Sequence, residues 1–161
     1  MSLTALGGNI FAGLFTHGVK RAGFDILGHL EHGPYGVKTA LLNFPGLDIR
    51  VGRENWYEHE FKKKVDFMFC NPPCAAWSLA RGGAGLSWQE QGARLRYVDD
   101  LVTAGLVIRP KAWCWESVLG AWNKGREFVV YQAERWMEAG YHTTVLLQDN
   151  QYLGAPQRRV R

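Results

Sequence analysis

The sequence predicts one three-layer α/β domain with a mostly parallel sheet, and three observations predict it. Short apolar runs alternate with amphipathic stretches along the chain, the rhythm of strands covered by helices. The 161 residues are 47% apolar and 21% charged, which suits a single full core and excludes a disordered chain, a collagen-like repeat or a coiled coil. A buried run, Val65-Asp66-Phe67-Met68-Phe69-Cys70, stops abruptly at Asn71-Pro72-Pro73, as a strand does when its chain must turn.

In chain order, residues 3–6 read as a short strand entering Gly7-Gly8-Asn9, and 12–22 as a helix stopped by Gly23. A strand follows at 24–31, then a helix at 35–44 ended by Pro45, a minor strand at 49–51 and the buried strand at 65–70. Residues 80–91, with Gly82, Gly83 and Gly85 and followed by Gly92, read as a glycine-rich loop able to move. Leu95, Val98, Val102 and Leu106 mark one face of a helix. Residues 112–116 read as a strand and 127–139 as a helix, with Val129, Ala133, Trp136 and Met137 inward and Gly140 as its cap. Residues 141–147 read as a last strand. No repeat or domain linker interrupts this order.

Nineteen Lys and Arg against fifteen Asp and Glu give a net charge of +4, which permits a polyanionic partner. No stretch approaches the roughly 18–20 apolar residues of a membrane span, and the N-terminus lacks the basic start of a signal peptide, so a soluble, cytoplasmic protein is expected. Cys70, Cys74 and Cys114 are then expected to be free thiols.

Ligands of such a sheet bind at the carboxyl ends of its strands. Residues 6–13 form a glycine-bearing turn that suits either an ordinary tight turn or close approach of a cofactor to backbone. Glu31 ends the second strand, as a solvated carboxylate or as an acceptor for ribose hydroxyls. Pro72 and Pro73 stiffen the exit from the buried strand and fix the position of the next residue, Cys74, which reads as a nucleophile; Cys70, inside the strand, reads as a packing residue. A metal site joining Cys70, Cys74, His29 and His32 matches no usual zinc spacing, so no metal is expected. Glu116 ends another strand, and Gln157, Arg159 and Arg161 close the chain with groups suited to phosphate or base contacts. Trp77 and Trp88 read as packing residues or as platforms for bases.

The segments NIFAGLFTHGVKRAGF, NPPCAAWS, WESVLG and GAPQRRVR, in this order, resemble the DNA cytosine-5 methyltransferases, small and phage-like in size. The resemblance implies the class I methyltransferase fold, a Rossmann-like sandwich, with S-adenosylmethionine as cofactor and DNA carrying a flipped cytosine as substrate. It implies Cys74 as nucleophile, Glu116 as the acid at the cytosine ring, and Arg159 and Arg161 as catalytic members of the QxRxR set. Phe11, Ala12, Gly13, Glu31 and Pro72 would bind the cofactor, and Ser78, Gln157 and Arg159 the substrate. Residues 80–91 would be a lid over the flipped base.

The chemistry requires this set. Carbon 5 of cytosine is a poor nucleophile until a thiolate adds to carbon 6 and a proton is held at ring nitrogen 3, and the base must first leave the helical stack.

Three departures from the family pattern stand out. The first motif, usually FxGxGG, reads Phe11-Ala12-Gly13-Leu14-Phe15; Ser117 replaces the Asn after the acid; and the sequence ends at Arg161, where the family continues into a target-recognition domain. One catalytic domain over 1–161 is therefore expected, with target recognition absent from it. The rival expectations are a non-catalytic cofactor-binding module and a half-enzyme whose partner polypeptide brings recognition.

Overall fold

Five strands, β1 (Leu3–Gly8), β2 (Phe24–Glu31), β3 (Ile49–Val51), β4 (Phe67–Cys70) and β5 (Ala112–Trp115), pair in the order β3-β2-β1-β4-β5. Every ladder is parallel, so all five strands end at one edge, and the order reverses between β1 and β4. Among the described residues four α-helices accompany them: α1 (Leu14–Arg21), α2 (Val37–Asn43), α3 (Gly92–Ile108) and α4 (Leu119–Glu138). The computed structural model describes residues 2–74, 77, 92–154, 156, 157 and 159–161. The expected lid at 80–91 lies outside them, as do Ser78 and Arg158.

The chain divides into two compact units, Met1–Pro72 with Asp100–Trp115, and Pro73–Asp99 with Glu116–Arg161. The first holds the whole sheet. Leu6, Leu30, Met68 and Cys70 pack with Trp56 and with Leu101, Ala104 and Ile108 of α3 on one face; Ala5 and Phe69 pack with Ile10 and Val19 on the other. Neighbours in one strand thus serve opposite faces, which is why β4, Phe67-Met68-Phe69-Cys70, reads as a continuous apolar run. Each large side chain withdrawn in this way contributes about 1.5–3 kcal/mol. At the opposite edge from the strand ends, Asp66 accepts from the Thr4 amide (2.8 Å) and meets Lys111 Nζ (2.6 Å), and these partners hold its carboxyl at about 2.

In the second unit, α4 buries Ala121, Gly125, Phe128, Gln132 and Trp136. Trp136 is inward as expected, but the rest of the stripe lies one residue away from the expected one: Val129 and Ala133 are half-buried and Met137 is 57% exposed. The displacement has a physical source, because Gln132 occupies the core face and its amide donates to Asp99 Oδ1 (3.0 Å), which Arg135 also reaches (2.8 Å). The helix also starts eight residues before the expected 127, breaking its regular geometry at Gly125. The Trp77 indole lies where a Gly125 side chain would stand, and the Trp77 carbonyl crowds Gly120 in the same way, so Trp77 packs against α4 only because both positions lack a Cβ.

Strands 24–31 and 49–51 form as expected. Elsewhere local geometry moves the bounds. The helix expected from residue 12 starts at Leu14 because Phe11 and Gly13 take left-handed backbone, and α2 starts at Val37 after Gly36 does the same. Leu106 is half-buried, its place on the core face of α3 taken by Leu101, Ala104 and Ile108. The strand expected at 141–147 is absent: these residues are largely exposed, Leu146 by 78%, and no described strand pairs with them. Just beyond, Gln148 and Arg161 exchange two backbone hydrogen bonds of 2.8 Å, and Asp149 bridges Val160 antiparallel.

Candidate active site

The β1–α1 turn is built against the end of β2. Asn9 and Phe11 hold left-handed backbone at φ 53° and 57°, a conformation costing about 1–3 kcal/mol per non-glycine residue and kept only when its surroundings enforce it. They do so here. The Asn9 amide donates to the Leu30 carbonyl (2.9 Å), and Glu31 Oε1 accepts from the amides of Ile10 (2.7 Å) and Phe11 (3.2 Å). Asn9 Oδ1 accepts from the His32 amide (3.1 Å) and lies 3.0 Å from His32 Nδ1, while His32 Nε2 lies 3.0 Å from Asp100 Oδ2. Trp56 sits edge-on to the His32 ring and donates to the Glu31 carbonyl. The loop before α2 closes on the turn, since a Cβ at Gly36 would stand 2.6 Å from the Ala12 nitrogen.

Glu31 is 1% exposed, and its carboxylate serves first to hold the turn. Burial raises its pKa from 4.5 to about 7, against the lowering effect of the two amides, while burial lowers His29 from 6.5 to about 4. The two groups lie 3.9 Å apart, beyond hydrogen-bond reach. Their linkages oppose. The raised Glu31 contributes stability below 4.5 that is lost as pH rises through 7; the lowered His29 contributes stability above 6.5 that is lost as pH falls through 4. Between 4.5 and 6.5 the slopes, each worth about 3 kcal/mol over its window, nearly cancel. Urea denaturation across this range should therefore show His29→Gln losing stability as pH rises and Glu31→Gln gaining it; parallel curves for both variants and the parent would contradict this account.

The other candidate residues fall in the second unit. Cys74 is half-buried directly after Pro73, and its carbonyl accepts from the Trp77 amide (3.0 Å). Trp77, 2% exposed, packs against Phe128, so it is an anchor and not a platform for a base. Glu116 follows β5, and its Oε1 meets Arg161 Nε at 2.6 Å. Ser117 Oγ is buried without a hydrogen-bond partner among the described residues. Arg159 and Gln157 are exposed, and the Arg159 amide donates to Asp149 Oδ1 (2.9 Å). The structure therefore brings Glu116 to Arg161 and Glu31 to the turn of Ile10 and Phe11. Cys70 is fully buried in β4, which pushes its thiol up and leaves it a core residue.

Sequence reasoning missed several positions. Asp149 ties the closing segment by accepting from the amides of Gln151 and Arg159; an Asp ahead of Asn150–Leu153 was the capping signal. Asn9, Thr16 and His29, all buried, gave no signal of the contacts they make, since nothing in a single sequence marks a polar residue as paired. The turn fits a polar adenosyl donor: Asn9 Nδ2 is a buried donor with no partner among the described residues, Glu31 lies beside the Phe11 amide, and the buried Pro72 offers an apolar contact. Among the described residues no group of His, Cys, Asp and Glu is arranged to hold a metal ion, and no helix is long and apolar enough to cross a membrane.

An all-parallel β3-β2-β1-β4-β5 sheet, with an acid ending β2 and Pro-Pro-Cys following β4, has the class I methyltransferase fold. Two solved structures share it: a protein described as a DNA modification methyltransferase encoded within an Escherichia coli prophage (TM-score 0.73, 18% identity, 99% of this chain and 44% of that one) and the Dnmt2 methyltransferase of S. pombe (TM-score 0.70, 15% identity, 98% and 46%). The family model of C-5 cytosine-specific DNA methylases matches residues 8–161, and the chain belongs to that family. Type II methyltransferase M1.HphI of Haemophilus parahaemolyticus is 30% identical over 171 residues, covering 100% of this chain and 45% of its own length. M.DdeI of Desulfomicrobium norvegicum is 28% identical over 163 residues, covering 95% and 38%. The chain thus spans less than half the length of the curated relatives it matches.

Proposed function

We propose that the chain methylates carbon 5 of cytosine in DNA, with S-adenosylmethionine as donor and Cys74 as covalent nucleophile. The observation that carries this reading is the Glu116–Arg161 contact, which joins a strand-end acid to the QxRxR segment in a member of this family. The Cys74 thiolate adds to carbon 6 of a flipped cytosine, forming the sulfur–carbon bond and moving the ring electron pair toward carbon 5. Glu116 holds a proton at ring nitrogen 3, and Arg161 fixes the plane of its carboxyl group through a charge-assisted contact. Phe11, Ala12 and Gly13 of the β1–α1 turn, with Glu31 and Pro72, would hold the donor, which when bound would supply an electrophilic methyl group and keep the sulfur it leaves as a neutral thioether. Once carbon 5 carries the methyl, loss of its proton to a base returns the electron pair to the ring and expels the thiolate. Arg159 and Gln157, both exposed, are suited to the DNA backbone and the flipped nucleotide. DNA and the donor are thus the proposed partners, and Ser78, outside the described residues, remains a proposed substrate contact.

Incubation with methyl-labelled S-adenosylmethionine and mixed-sequence DNA, followed by nucleoside analysis, tests the proposal. Label in 5-methylcytosine is expected. Donor binding without any transfer would replace the enzyme with a cofactor-binding module, and transfer only on adding a second polypeptide would make the chain a half-enzyme.

A further inference from the structure

The residues of β2 next to Glu31 reach the other end of the same turn. His29 and Glu31 are two apart on β2, so their side chains leave the same face of the strand. Glu31 fastens the start of the turn at Ile10 and Phe11; His29, with no exposed surface, lies 2.7 Å through its Nε2 from Oγ1 of the fully buried Thr16, in the first turn of α1. At that helix start the cap residue, Gly13, supplies no side-chain hydrogen bond and the first turn carries no acidic residue, so the Thr16–His29 contact adds a side-chain fastening to the hydrogen bond from the Gly13 amide to the Ile10 carbonyl (3.1 Å) and the close approach of Gly36 to Ala12. One strand therefore grips the turn at both ends. The segment between, Phe11 to Phe15, is the one that departs from the glycine-rich family pattern, and the left-handed backbone of Phe11 and Gly13 within it is held only while both ends stay fixed.

We infer that Thr16 and His29 are a positioning pair for the methyl donor: their buried hydrogen bond sets the far end of the β1–α1 turn and so the affinity for the donor, without touching it. This rests on the reading of that turn as the donor site. It assigns His29 a use that neither the mechanism nor the core requires, since an apolar residue would fill the space without needing Thr16 as a partner.

Titration calorimetry with S-adenosylmethionine on the full chain, beside urea denaturation, tests the pair. Thr16→Val is expected to raise the donor Kd on the order of tenfold while kcat at saturating donor stays near the parent value, and Thr16→Ser, which keeps the hydroxyl, should restore affinity. The double variant Thr16→Val/His29→Leu separates positioning from mere packing. It removes both partners and leaves no orphaned polar atom between them, so its stability should recover relative to either single variant while its donor affinity does not. The double variant also serves where Thr16→Val alone fails to fold. A donor Kd within twofold of the parent in either valine variant, with stability alone affected, overturns the inference. Absence of donor binding by the parent chain overturns the reading of the turn itself, and the inference with it.

Discussion

Cys74→Ser is expected to remove methyl transfer altogether, a loss on the order of 10⁴–10⁶ in rate, as when other enzymes lose a covalent nucleophile. A hydroxyl in place of the thiol is not ionised at neutral pH and cannot add to carbon 6, whereas donor binding, proposed above for the β1–α1 turn, should be unchanged. DNA containing 5-fluorocytosine sharpens the test. The fluorine cannot leave as a proton would, so the parent chain should form an adduct that survives denaturing electrophoresis and Cys74→Ser should form none. Cys70→Ala is the matched control, because Cys70 is sealed in the core and its thiol is pushed up by burial. It should lose stability and keep the adduct. A trapped adduct in Cys74→Ser would end the covalent mechanism proposed for this residue.

Glu116→Gln is expected to lose about 10²–10⁴ in rate, the usual scale for a positioned acid–base group. The amide keeps the shape of the carboxyl group but cannot hold the proton at ring nitrogen 3, and it exchanges a charge-assisted contact with Arg161 for a weaker one. Arg161→Lys should fall in the same direction by a smaller factor, since an ammonium keeps the charge without the planar fork. The donor Kd should stay at the parent value in both variants. A rise in donor Kd matching the fall in rate would move Glu116 from the cytosine ring to the donor pocket.

What the sequence reveals about this fold is its buried, periodic part. β2 and β3 are read correctly to the residue because turn glycines mark their limits, Gly23 before β2 and Gly52 after β3, both with positive φ. The stripe of α4 is misread because Gln132 sits where an apolar residue is expected, and only the three-dimensional partner Asp99 explains a polar side chain there. Residues 141–147 look like a strand because they are apolar and bounded by turns, yet a strand exists only where a neighbour completes its hydrogen bonds, and no periodicity reports the neighbour. The candidate site divides the same way. Cys74, Glu116 and Arg161 carry recognisable chemistry in short, distinctive strings, whereas Asn9 and Thr16, though within the first such segment, and His29 acquire their roles only through their contacts.

The seat of Trp77 against Gly120 and Gly125 has a kinetic consequence for the reaction proposed here. With Pro73 on one side and a buried indole three residues along on the other, Cys74 rides on a tether whose full extension is only about 10 Å. The volume its sulfur can search is correspondingly small, so the thiol cannot chase a base that swings into reach at varied angles. Delivery then comes from the nucleic acid: the encounter that counts is the arrival of the extruded cytosine within the reach of that tether. Duplexes whose target base is already loosened, by a mismatch opposite the cytosine or an abasic partner, should then react faster in proportion to how readily that base swings out.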